Sequence, residues 1–344
     1  MEQQRNTNRI AYLDMLRILA TFSIILIHIF AEDYYNSFKE YDWYVNAIGN
    51  SLMRWGVPIF VMISGVLFLN PQKSFPIKRL YKKNISRLLI AFVFWGLFYS
   101  LFSAYQHYKY GMPIIYNGRS VFFKWSPGAH LWFLPMLMAV YALVPLLRKI
   151  TNDTKLLKYT LALWCVYITG NLVLVKNIAH ITPLFAMNVV IGCTGYFLLG
   201  HYLSQTTFQT KHRRIIYLLG ILGAIIGIAG TLGISFLKGK PDDTFLGFYC
   251  PHTAMVAVAL FVLLKELAPK LQPKVNGFVN HVRKDLFGIY LIHYFWLYAI
   301  DWEPVKNLCN YAISSLLIGI CIFIISLYSI KLIRLIPILR KVVE

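Results

Sequence analysis

A run of apolar residues near the start of this 344-residue chain is interrupted by Asp14, Arg17 and His28, three side chains able to hold charge or move a proton. Asp14 and Arg17 are three apart, so a helix sets them on neighbouring turns where they can pair. Arg17 and His28 are eleven apart, about three turns and roughly 16 Å along the axis. Asp14, Arg17, Thr21, Ile24 and His28 therefore form one stripe. Ionisable groups inside apolar segments are costly and mark function, and an Asp–Arg pair beneath a histidine is expensive if it serves packing alone. Histidine titrates near neutral pH, which makes His28 a candidate general base. Other apolar segments carry Arg54, His130 with Trp132, His252 and His293. They make one site if their segments are neighbours. Singly, His130 and Trp132 also fit an interfacial belt, and His252 fits a helix end.

The densest positive run, Lys73 to Arg87, interleaves Phe75, Pro76 and Tyr81 with Lys78, Arg79, Lys82 and Lys83. Clustered Lys and Arg grip phosphates through charge-assisted hydrogen bonds, so the run suits a phosphorylated ligand. It suits anionic lipid equally well. Five cysteines stand singly, without CxxC or metal-ligand spacing, and no metal site is expected.

These residues need elements to position them, and composition says which. The chain is 58% hydrophobic and 14% charged, against about a quarter charged in soluble domains. That excludes a soluble globule, a disordered chain and a secreted disulfide scaffold. Stretches long enough to span roughly 30 Å of hydrocarbon recur throughout. Ten are expected: Ile10 to Phe30, Asn46 to Leu69, Leu88 to Tyr105, His130 to Leu147, Leu156 to Val175, Pro183 to Leu203, Ile215 to Leu237, Phe245 to Leu264, Leu286 to Ile300 and Leu308 to Ile330. No cleavable leader is expected, because the first apolar run follows a polar segment and lacks a small-residue cleavage site. The expectation is an all-α, polytopic membrane helix bundle filling residues 1–344 as a single domain.

Alternating the ten spans from a cytosolic N-terminus puts 24 Lys and Arg inside and 8 outside, the latter including Lys39, Lys109, Arg119, Lys124 and Lys176. Such asymmetry orients the chain with both termini inside. It also accounts for the net charge of +20 by lipid topology, so no nucleic acid is expected as a partner.

Read in order, the apolar segments resemble the acyltransferase-3 family of bacterial integral membrane acyltransferases, and more narrowly its surface-polysaccharide O-acetyltransferase branch. The opening helix RIAYLDMLRILATFSIILIH is similar to the family's, including an Arg and a His separated by ten residues, here Arg17 and His28. VPIFVMISGVLFL, HLWFLPMLMAVYALVPLL with Trp132, Phe133, Tyr141 and Pro145, GYFLLGHYL, and LFGIYLIHYF look like later blocks in register. One departure stands out. Members often carry an Arg-x-x-Arg pair at the third helix; here KKNISR keeps Arg87 but has Asn84 at the first Arg, beside Lys83.

The resemblance implies transfer of an acetyl group from acetyl-CoA, a donor substrate rather than a bound cofactor, to a hydroxyl of a surface polysaccharide or its lipid-linked precursor, in the bacterial inner membrane. It implies His28 as base, with Arg17 and Asp14 on the donor side. The CoA phosphates would meet Lys78, Arg79, Lys83 and Arg87. Arg54, His130, Trp132, His252 and His293 would be candidates for the acceptor or the oxyanion. A transporter or flippase of a glycolipid or organic ion is the alternative reading, and a membrane scaffold a third.

Overall fold

The computed structural model describes residues 2–71, 76–111, 130–174 and 182–343. Among them every regular element is helical. In chain order these are α1 (Glu2–Glu32), α2 (Tyr41–Met53), α3 (Gly56–Phe68), α4 (Ile77–Tyr110), α5 (Phe133–Ala142) and α6 (Val144–Asn152). Then come α7 (Thr154–Leu174), α8 (Thr182–Gln205), α9 (Thr210–Lys238), α10 (Pro251–Val282), α11 (Leu286–Ala299) and α12 (Tyr311–Ile333). Six stretches are long and apolar enough to cross a membrane, or seven if α5 and α6, bent by 56°, form one span. These mark a multi-pass membrane protein. The count falls short of the expected ten for identifiable reasons. Leu156 to Val175 and Pro183 to Leu203 fall on α7 and α8, whose facing ends border residues outside the described set, and Val175 is itself outside it. Leu286 to Ile300 falls on α11, a helix of only 14 residues. Lys73, Phe75, Arg119, Lys124 and Lys176 also lie outside the described residues.

At the centre is α1, packed against α2, α3, α10, α11 and α12. Its side chains from Ala11 to Phe30 are mostly buried, including Leu16, Ala20, Ile25 and Leu26. By contrast α9 leaves Leu218, Ile221, Leu222 and Ile225 exposed, as a lipid-facing stripe would be, and turns Gly220, Gly223 and Gly227 towards α10. Without a hydrophobic driving force between helices in lipid, small residues let backbones approach and add van der Waals contact. The closest such approach joins α3 to α8: a Cβ on Gly65 would sit 1.8 Å from the Phe197 carbonyl oxygen, and one on Gly200 2.1 Å from that of Met62.

Two interruptions matter for the site. Pro58 has no N–H to give the carbonyl four residues back, which belongs to Arg54, and the chain breaks there between α2 and α3. At the same break the Ser23 hydroxyl donates to the Met53 carbonyl at 2.6 Å, and Gly56 lets α1 come close enough to do so. In α4, Leu80–Ile85 is a π-helical segment within the basic run. Helix ends are closed in familiar ways: Gly239 takes φ 66° after α9, a left-handed cap that favours glycine. Lys265 Nζ donates to the carbonyls of Leu203, Ser204 and Thr206 around the end of α8.

Substituting Gly65 or Gly200 by Ala should lower the melting temperature of purified protein, at a cost of about 1–3 kcal/mol or more, because the clash is with backbone. Gly277 in α10 has open space at its Cβ position, so Gly277→Ala should leave stability unchanged or raise it by about 0.5–1 kcal/mol.

Candidate active site

Three imidazoles meet among α1, the turn before α5, and α11. His28 and His293 have ring centroids 5.3 Å apart, His130 and His293 4.9 Å, and His28 and His130 6.1 Å. Tyr294 packs edge-on against His28 at 5.2 Å, and Tyr99 from α4 edge-on against His130, also at 5.2 Å. His130 and His293 are almost fully buried, at 2% and 1% exposure, whereas His28 keeps part of its surface accessible.

Hydrogen bonds decide where the protons sit. His130 Nε2 lies 3.1 Å from the Leu291 carbonyl oxygen, and His293 Nδ1 lies 2.6 Å from that of Tyr290. A carbonyl can only accept, so His130 carries its proton on Nε2 and His293 on Nδ1, tautomers assigned from this network. Tyr99 Oη donates to the same Leu291 oxygen at 2.7 Å and accepts from the Phe295 N–H at 3.2 Å. Tyr290 Oη donates to the His130 carbonyl, tying the turn to α11. The remaining nitrogens, His130 Nδ1 and His293 Nε2, are buried without a hydrogen-bond partner. Both are then bare lone pairs facing a region that holds His28. His28 itself has no hydrogen-bond partner among the described residues. A cluster of imidazoles with unpartnered ring nitrogens can accept protons and orient a hydroxyl; among the described residues no carboxylate pairs with it to complete a triad.

Arg54 lies at the α2–α3 break, with its guanidinium carbon 5.1 Å from the Phe248 ring centroid and Nε buried without a partner. Trp132 stacks on Phe248 at 5.6 Å. The Phe248 ring thus carries both Arg54 and Trp132, the latter two residues on from His130. His252 stands apart. Its Nε2 is 2.8 Å from the Phe245 carbonyl oxygen and its ring stacks on Phe245 at 5.5 Å, with Gly227 of α9 against it. There it pins the start of α10.

About 16 Å further along α1, Arg17 Nη1 donates to Asp14 Oδ1 at 3.1 Å, and Arg283 of α10 approaches Asp14 Oδ2 at 3.8 Å. A cleft of about 270 Å³ opens beside Asp14 and Arg283, lined also by Asn276 and Asn280. The buried Tyr141 hydroxyl donates to Ser64 Oγ at 3.3 Å. Arg87 lies over the Phe287 ring at 5.4 Å. Lys78, Arg79 and Lys83 are exposed around the π-helical segment. The molecule thus has two polar layers on one helix, a histidine layer and an arginine layer.

A family model described as an acyltransferase domain matches residues 10–334. The chain belongs to the acyltransferase-3 family. No curated protein matches it, and no solved structure does. Membership implies membrane acyltransferase activity, and the match runs from the helix that carries Asp14, Arg17 and His28 to the end of α12.

Within this acyltransferase, the structure brings together His28, His130 and His293, and sets Arg54 and Trp132 together on the Phe248 ring. It keeps Asp14 and Arg17 away from His28 and places His252 elsewhere. His130 is not a donor for an oxyanion while neutral, because its one N–H is committed to Leu291. Sequence reading missed Tyr99, Tyr290, Tyr294 and Arg283. The spacing of Tyr290, His293 and Tyr294 at i, i+3 and i+4 is a helical face that could have been noticed. Arg283 is hidden in a basic helix end that also serves topology. We expect ¹⁵N spectra of histidine-labelled protein to show Nε2–H for His130 and Nδ1–H for His293, identified by loss of each signal in His130→Gln and His293→Gln. The opposite tautomers would overturn the proton assignment.

Proposed function

We propose that this protein is a membrane O-acetyltransferase that carries an acetyl group from cytosolic acetyl-CoA to a hydroxyl of a cell-surface polysaccharide or its lipid-linked precursor, with His28 as general base. The observation that supports this best is the accessible imidazole of His28, with two buried imidazoles around it whose protons are held by carbonyls. A hydroxyl is a weak nucleophile until a base takes its proton in the transition state. In the proposed step the acceptor oxygen forms a bond to the thioester carbonyl carbon while its proton passes to His28. The carbon–sulfur bond then breaks, and the thiolate takes the proton from His28, leaving an acetyl ester and free CoA. The Trp132 indole and the Arg54 guanidinium are the two expected donors still able to meet the oxyanion.

Donor binding is assigned to the arginine layer. Arg17 and Arg87 would hold the arm of the donor, and Lys78, Arg79 and Lys83 would meet the nucleotide phosphates. The thioester would then reach His28 from the cytosolic side, so that acetyl crosses while CoA does not. This reading carries the ten-span topology with both termini in the cytosol of a bacterial inner membrane.

His28→Ala should lower CoA release from acetyl-CoA by at least about 100-fold with a membrane extract as acceptor source, while the protein still inserts and melts as a folded species. Full activity in that variant would sink the mechanism. For topology, single cysteines at Lys240 and Arg340 in a cysteine-free background should differ. The first should react with an impermeant maleimide on intact cells, and the second only after permeabilisation.

A further inference from the structure

Arg54 is a half-buried cation whose Nε is fully enclosed. Among the described residues no carboxylate forms an ion pair with it, and its Nε has no hydrogen-bond partner. The groups that act on it from around the break are Asp243, Tyr34, Tyr35 and Cys250. Burial pushes the Tyr34 hydroxyl up, and burial with Asp243 pushes the Tyr35 hydroxyl up to about 12, so both phenols stay neutral. Asp243 is the one carboxylate felt at Arg54, and it acts from beyond ion-pair distance. A guanidinium with an enclosed Nε and no ion-pair partner among the described residues is costly, a cost that an incoming anion would repay. Its setting is also specific: the guanidinium and the Trp132 indole both pack on Phe248. Flat aromatic faces suit the C–H face of a sugar ring, while a planar, forked cation suits carboxylate or phosphate oxygens.

We propose that Arg54, Phe248 and Trp132 form an acceptor subsite for a sugar that carries an anionic group, a carboxylate or a phosphate, close to the hydroxyl that is acylated. The inference rests on the acyl-transfer reading and gives the Arg54 charge to the acceptor rather than to the oxyanion. Trp132 follows His130 by two residues in one turn, so a ring stacked on its indole would lie near the histidine layer. A neutral sugar would leave the Arg54 cation unpaired, so discrimination comes from the cost of that unpaired charge.

The test is direct binding of methyl glucuronide, glucose 1-phosphate and methyl glucoside to protein in lipid nanodiscs, alongside acetyl-CoA. Wild type and His28→Ala should bind one or both anionic sugars at least tenfold more tightly than methyl glucoside. Whichever anion is preferred identifies the charge. Arg54→Gln should bind all three alike with acetyl-CoA binding retained, and Arg54→Lys should keep the preference in weakened form. Should Arg54→Gln fail to fold, 1 M KCl on wild type replaces it: salt should erase the preference without weakening methyl glucoside. Equal binding of the three sugars by wild type, no binding of any, or a preference that survives Arg54→Gln would overturn the proposal. Loss of acetyl-CoA binding or of CoA release, with the sugar preference intact, would instead overturn the transferase reading alone.

Discussion

Two backbone carbonyls, those of Tyr290 and Leu291, hold the centre of this protein in its chemical state. Inside a membrane protein water is scarce, and every polar atom must find a partner or be left costly. By accepting one N–H from His293 and one from His130, these carbonyls leave the opposite ring nitrogens bare. Everything else around the site serves that arrangement. Tyr99 shares the Leu291 oxygen, Tyr290 ties the histidine turn to α11, and Tyr294 closes the side of His28. Moving α11 by one residue would exchange the carbonyls and scramble the protons.

Much of this was visible in the residues, though unevenly. The central helix announced itself through Asp14, Arg17 and His28, because ionisable groups in an apolar run have few innocent explanations. The break at Arg54 was not among the expectations, which run Asn46 to Leu69 as one span; Pro58, whose missing N–H leaves the Arg54 carbonyl without its helical partner, accounts for it. Harder to see was which histidines would meet. His130, His252 and His293 look alike as letters, and only helix neighbours separate the two that line the chamber from the one that pins α10. Arg283 was invisible for a different reason: a cation at a helix end in a basic stretch already has a sufficient explanation, so its approach to Asp14 carries no separate mark. The span count suffered from length, since α11 is short and a bend divides α5 from α6.

Arginine and histidine divide the labour along α1. The arginine layer is partly hydrated, with the Arg17 and Arg283 side chains 30% and 41% exposed, where paired charges are modest contributors to stability. The histidine layer is drier and carries neutral groups apart from Arg54.

The π-helical segment Leu80–Ile85 changes what a motif spacing means in this chain. One additional residue per turn rotates everything that follows by about 100° relative to a regular helix. Arg87, which follows the segment, lies over the Phe287 ring with that phase, while Lys78 and Arg79 keep the bearing of the helix before it. Counting letters between basic residues therefore misstates their angular relation. Two homologous chains with identical spacing, one wound regularly and one not, would aim the same arginine at different walls of the bundle.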